Sequence, residues 1–176
     1  MLASIDAPTT LVGHSMGARL AQYIATEHPS NLERMILVAP GTARAATPSA
    51  KHRALTLAAY GSRERIERFQ RGAMAHEVAP EVMRRLVDDA LIAQYEHWFG
   101  WYERGRELDF RDRLQAVAVP TLAIAGSKDP IASAPRVKTD VVQAIAGAVF
   151  VLLRSAGHNI PVEVPNDVVE AIARFI

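Results

Sequence analysis

The sequence predicts an α/β fold, a parallel sheet of four readable strands flanked by helices and carrying a helical insertion. Three observations lead there. Residues 9–39 spell strand, helix, strand with short links. Residues 42–118 hold no strand-like run. The alternation of strand and helix then resumes at Pro120. Two strands and a helix joined this closely form a βαβ unit, which requires parallel strands and a right-handed crossover.

The elements follow in order. Thr9 to His14 (TTLVGH) is a short β-branched and apolar run after Pro8, and it reads as a buried strand. A helix runs from about Gly17 to His28, with Leu20, Ala21, Ile24 and Ala25 on one face. His28-Pro29-Ser30-Asn31 ends it, because proline cannot continue a helix. Arg34 to Ala39 is a second apolar strand, closed by Pro40-Gly41. Helices are expected near 48–60, 62–75 and 79–104, in a region dense in Arg and Glu that suits a solvated helix face. Thr121 to Ala125 and Ala148 to Leu153 are the third and fourth strands, with a helix near 134–146 between them. A last helix runs from about Pro165 to Ile176, its proline sited where helices begin. The organisation is therefore 1–41 for the first part of the core, 42–110 for the insertion and 111–176 for the second part of the core.

Composition bounds the function. The chain has 176 residues, 49% hydrophobic and 22% charged, enough to bury a core and too apolar for a disordered tail. Lys and Arg number 20 against 19 Asp and Glu, a net charge of +1. That balance gives no electrostatic case for nucleic acid or an anionic membrane. The absence of cysteine excludes a disulfide scaffold and a thiol nucleophile. No basic, apolar leader opens the chain and no apolar run is long enough to span a bilayer, so the expected location is cytoplasmic.

Gly13-His14-Ser15-Met16-Gly17 lies between a predicted strand and a predicted helix. The G-x-S-x-G pattern is weak alone and gains its force from that setting. A strand-to-helix turn this tight strains the middle residue, and both flanking glycines are expected to let the chain pass close to itself. The turn lifts the Ser15 hydroxyl clear of the sheet. It also sets the Met16 N–H at the start of the helix, where developing negative charge is favoured. A serine hydroxyl needs a base. Of the six histidines, His28 ends the following helix, and His52, His76 and His97 lie in the insertion. His14 sits inside the turn and is expected to point away from Ser15. His158, in the loop Ser155-Ala156-Gly157-His158-Asn159 after the last strand, falls on the same carboxyl edge of the sheet as Ser15. A base of this kind needs a carboxylate to fix its tautomer. Asp129, in Gly126-Ser127-Lys128-Asp129-Pro130 after the third strand, occupies that edge too. The chain order is nucleophile, acid, base.

These residues resemble the α/β-hydrolase family, in the form that carries a helical cap. The resemblance rests on Val12 to Ala18, on Val119-Pro120-Thr121-Leu122 through Pro130, and on Gly157-His158-Asn159 before a C-terminal helix. It implies Ser15 as nucleophile, Asp129 as acid, His158 as base and the Met16 N–H as one oxyanion donor. It implies a small-molecule substrate and no metal or organic cofactor. A serine nucleophile argues against the dehalogenases and epoxide hydrolases of similar fold, which use aspartate. The cap aromatics Tyr95, Trp98, Phe99, Trp101 and Tyr102 are expected chiefly as the cap's own core. Gly41 and Thr42 could also border the pocket, but nothing in the sequence singles them out.

The chain departs from the family in one respect. Family members place several strands before the turn that bears the serine, and a loop after an early strand supplies the second oxyanion donor. Here the strand begins nine residues from Met1. The expectation is an N-terminally truncated α/β-hydrolase with a bare edge on strand 9–14, prone to self-association. Two functions compete on this reading. One is a serine hydrolase acting on a small ester or related carbonyl compound. The other is a catalytically impaired fragment or binding module of the same fold. Fold and triad alone do not choose among ester, thioester, lactone, C–C and perhydrolysis chemistry.

Overall fold

The computed structural model describes residues 5–47 and 49–176, and the side chains of His52, Tyr102 and Glu103 lie outside that description. Four strands form one sheet in the order β1 (Thr9–His14), β2 (Leu32–Val38), β3 (Thr121–Gly126) and β4 (Val149–Leu153), every pair parallel. Each strand matches the sequence reading to within two residues.

Alternation along the central strands splits the core into two layers. Met35, Leu37, Ala123 and Ala125 face one side, where they meet α1 (Met16–Ala25), Phe110, Leu114, Val137 and Val141. Ile36, Val38, Leu122 and Ile124 face the other, against Ile160, Val168 and Ala171 of the C-terminal segment. β2 and β3 are covered on both faces, as parallel strands require.

β1 is not the buried strand that its composition suggests. It stands at the sheet edge, paired only with β2 among the described residues. Val12 is 56% exposed, because no described element packs over its face of the strand. The bare edge expected from the sequence is thus present among the described residues. The face read for α1 holds in part. Ala21 and Ala25 are buried and Ile24 packs against the core, whereas Leu20 is 52% exposed and Ala18, Arg19 and Gln22 are buried beside them. Small side chains let α1 sit close to the sheet, and its longer apolar residues fall at the margin.

The strand-free stretch folds as α2 (Ala50–Ala59), α3 (Arg63–Ala73), α4 (Pro80–Leu91) and α5 (Tyr95–Gly100), followed by a π-helical turn at Trp101–Gly105. The single helix expected over 79–104 is therefore broken after Leu91. Ile66, Met83 and Val87 give these helices a small core of their own, with Met74, Leu91 and Trp98 packed against it. Past a 3-10 turn at Arg111–Ala116 and β3, the helix expected over 134–146 is shorter. It is α6 (Ala134–Val137), running into a π-helical turn at Lys138–Val142. The chain ends in α7 (Ile160–Glu163) and α8 (Pro165–Ala173). Among the described residues no helix is long and apolar enough to cross a membrane.

Candidate active site

β1 ends at His14 and α1 begins at Met16, so Ser15 alone makes the turn between them. Its backbone takes φ 52° and ψ −111°, a conformation side-chain-bearing residues seldom adopt. Three bonds hold it there. The Ser15 N–H donates to the Val38 carbonyl at 2.9 Å, extending the strand ladder. The Ser15 carbonyl accepts from the amides of Arg19 at 3.1 Å and Gly41 at 3.2 Å. Gly13 makes the turn sterically possible, since a Cβ there would lie 2.5 Å from the Gly17 carbonyl oxygen. The matching expectation for Gly17 is not met. A Cβ at Gly17 would meet nothing within 4 Å, because at this position it leads away from the strand.

The Ser15 side chain caps no helix amide. Its Oγ lies 2.8 Å from His158 Nε2, and His158 Nδ1 lies 2.8 Å from Asp129 Oδ2. The three residues singled out from the sequence, separated by 143 and 29 positions, are thus in one hydrogen-bonded line. The partners dictate the tautomer. An ionised carboxylate only accepts, so Nδ1 carries the proton and Nε2 is left to accept from the Ser15 hydroxyl. The other oxygen of Asp129 accepts from the amides of Ile131 at 2.7 Å and Ala132 at 2.8 Å. Burial works to raise the Asp129 pKa and is the largest single influence. The hydrogen bonds from His158, Ala132 and Ile131, with the favourable charge of His158, together outweigh it and hold the carboxyl below its ordinary value. Met16 is the first residue of α1, so its amide has no carbonyl one turn back to bond.

Residues 3–164 match the family described as serine aminopeptidase, S33. The chain belongs to this α/β-hydrolase family. Among curated relatives it is 28% identical to a 3-oxoadipate enol-lactonase 2 of Acinetobacter baylyi over 175 residues, which is 94% of this chain and 63% of that protein. It is 26% identical to a pimeloyl-[acyl-carrier protein] methyl ester esterase of Neisseria meningitidis, covering 89% of this chain and 64% of the relative. The chain therefore spans just under two thirds of the length of these relatives. Among solved structures it resembles an esterase from Exiguobacterium antarcticum, with a TM-score of 0.84 at 19% identity, over 96% of this chain and 66% of that one. A thermophilic esterase from Thermogutta terrifontis gives a TM-score of 0.70 at 26% identity, over 96% and 64% respectively.

In this α/β-hydrolase a cavity of about 750 Å³ opens over Ser15 and His158. Gly41 and Thr42 border it from the loop after β2, while Leu55, Phe69, Trp98 and Trp101 line it from the insertion. The aromatics expected as the insertion's own core divide between two roles. Phe99 is buried and Tyr95 largely exposed, their tilted rings 4.1 Å apart and both against Tyr60, away from the cavity wall. Trp98 and Trp101 line the cavity, Trp98 donating its indole N–H to the Thr56 carbonyl at 3.1 Å. Tyr102 has its side chain outside the described residues.

Several residues at the site escape the sequence reading. His14 does not stand apart. Its Nε2–H donates to the His158 carbonyl at 2.8 Å, and the two rings lie 5.3 Å apart. Burial pushes its pKa down, partly offset by that bond. Gln22, fully buried, donates to the Gly41 carbonyl at 2.7 Å. Arg19 donates to the carbonyls of Thr42, Arg44 and Leu108, and stacks on Phe110. α1 thereby fixes the cavity-lining loop after β2. Glu163 binds the amides of Ala75 at 2.7 Å, His76 at 3.3 Å and Gly157 at 3.0 Å with one oxygen. It fastens the end of α3 to the loop that bears His158.

Proposed function

We propose that the chain carries the catalytic centre of a serine hydrolase acting on a small ester or related carbonyl substrate. The observation that carries this reading is the line Ser15 Oγ, His158 Nε2, His158 Nδ1, Asp129 Oδ2, with 2.8 Å at both contacts. The Ser15 oxygen attacks the carbonyl carbon as Nε2 takes its proton. The Met16 N–H, at the positive end of α1, stabilises the oxyanion of the tetrahedral intermediate. Its collapse expels the alcohol, which leaves with the proton from His158 and gives an acyl-enzyme on Ser15. Water, deprotonated by the same nitrogen, then releases the acid and restores Ser15. Asp129 keeps the imidazole in the required tautomer and stabilises its charged form. The segment 42–110 acts as a cap, a role supported by Trp98 and Trp101 in the cavity wall.

Two relatives are named for a lactone and for a methyl ester, which supports an acyl–oxygen bond as the target. The test is labelling with a fluorophosphonate, followed by chromogenic esters of increasing acyl length. Labelling of the wild type but not of Ser15→Ala, with ester turnover, is expected. A chain that neither labels nor turns over an ester would instead be the binding module of the competing reading.

A further inference from the structure

Six arginines line the cavity over Ser15: Arg19, Arg44, Arg65, Arg68, Arg106 and Arg136. No Asp or Glu is found among the described residues that line it. The chain as a whole is nearly neutral, with 20 basic and 19 acidic residues. Charge of one sign gathered in a low-dielectric cleft repels itself, and it concentrates ions of the opposite sign.

The six are not equivalent. Arg19 is buried and spent on backbone carbonyls of the adjacent loop and of Leu108. Arg68 is paired with Glu64 at 2.6 Å on the exposed face of α3. Arg44 and Arg136 differ from both. Their side chains are 50% and 47% exposed and share one carboxylate, that of Asp140, at 3.9 and 3.4 Å. Asp140 is only 13% exposed and does not line the cavity. Two guanidinium groups thus line the cavity on one shared carboxylate, and among the described residues their only further side-chain bond is that of Arg136 to Thr42. Their place in the fold is close to the reaction. Arg136 reaches the Thr42 hydroxyl at 3.5 Å, and Gly41, next to Thr42, bonds the Ser15 carbonyl at 3.2 Å.

We propose that the cavity takes an ester bearing a carboxylate group, which Arg44 and Arg136 bind together. The proposal rests on the reading of Ser15 as nucleophile. A planar carboxylate matches the forked donors of arginine, and Asp140 holds the two forks in place before the ligand arrives. The apolar wall of Trp98, Trp101 and Leu55 then receives the uncharged remainder of the molecule.

The test uses three esters of similar size, the two nitrophenyl esters followed by colour and the third by ultraviolet absorbance of the released phenol. One is the neutral 4-nitrophenyl pentanoate. The second is the mono-4-nitrophenyl ester of glutarate, with the carboxylate on the acyl side. The third is the pentanoate ester of 4-hydroxybenzoate, with the carboxylate on the alcohol side. Binding of each to the Ser15→Ala chain is measured by calorimetry, and kcat/KM of the wild type is measured in parallel. One charged ester is expected to bind at least about tenfold more tightly than the neutral one, and the better of the two reports which side carries the charge. In the double variant R44Q/R136Q that advantage should fall below about threefold. It should shrink with added salt in the wild type. Arg34→Gln, on β2 away from the cavity, should leave the ratio as it is. Equal binding of charged and neutral esters, binding of none, or an advantage that survives R44Q/R136Q overturns the proposal. A binding preference without any turnover overturns the hydrolase reading and leaves the anion site standing.

Discussion

Ser15 combines a strained backbone with a side chain committed to His158, so its removal separates chemistry from folding. Ser15→Ala should lower kcat by about 10⁶, and retention of more than about a tenth of wild-type turnover would rule Ser15 out as nucleophile. Its urea midpoint should stay near that of the wild type, because one partly buried oxygen is lost and the backbone bonds remain. Asp129→Asn keeps an acceptor for the Ile131 and Ala132 amides but offers His158 an N–H in place of an acceptor. The imidazole then favours the wrong tautomer, with a loss of about 10³–10⁴ in kcat. Asp140→Asn serves as the comparison, since Asp140 bonds Arg44 and Arg136 instead of His158. If it proved the more damaging change, the role given to Asp129 would be wrong. Asp129 also couples to pH. Its folded pKa lies below the ordinary value of 3.8, so the ionised form stabilises the fold above that pH. This contribution is lost as the pH falls through the depressed folded pKa. Urea midpoints followed towards low pH should converge for wild type and Asp129→Asn, and curves that stayed parallel would contradict it.

At the scale of elements, close approach decides which substitutions the turn accepts. Gly13→Ala forces a Cβ onto the backbone of α1 at 2.5–2.6 Å and should destabilise by about 1–3 kcal/mol or more, through overpacking against atoms that cannot move aside. Gly17→Ala faces open space inside a helix and should be neutral or stabilise by up to about 1 kcal/mol. Equal midpoints for the two in urea would refute this account of the turn. The His158 loop is held in a similar way. A Cβ on Gly157 would lie 2.6 Å from the Ala75 amide nitrogen, and Glu163 bonds the amides of both residues. Glu163→Ala strands those donors and should cost about 1–3 kcal/mol. It should also lower kcat more than it raises KM, since the loop it releases holds the His158 imidazole against Ser15, whereas most of the cavity wall comes from other segments.

For the molecule as a whole, the place of β1 at the sheet edge among the described residues is the feature with consequences. β1 pairs with β2 alone among the described residues, and Val12 is exposed on it. An apolar edge of this kind invites pairing with another copy. We propose self-association through β1, to be read by light scattering across a concentration series. Val12→Lys places a charge on the edge and should shift the population towards monomer. A wild-type chain that stays monomeric at every concentration would remove the proposal.

The sequence by itself determined four parallel strands, and it singled out Ser15, His158 and Asp129 as candidates, while the order of the strands in the sheet came from the structure. Those signals are local: apolar runs bounded by Pro and Gly, and polar groups at the carboxyl ends of predicted strands. It also marked a strand-free helical stretch between the second and third strands, though not its break after Leu91 or the π-helical turns. Only the tertiary structure decided that β1 lies half-exposed at an edge, because burial depends on what packs over a strand and not on its own residues. Only the structure set His14 against His158, Arg19 and Gln22 under the loop after β2, and Glu163 between α3 and the His158 loop. The cationic wall was beyond reach in the same way. Arg44 and Arg136 are separated by 92 positions and read as ordinary surface charges until the fold brings both to Asp140. A chain pattern reports the period of a strand or helix, whereas contacts across the sheet edge arise only when the elements pack.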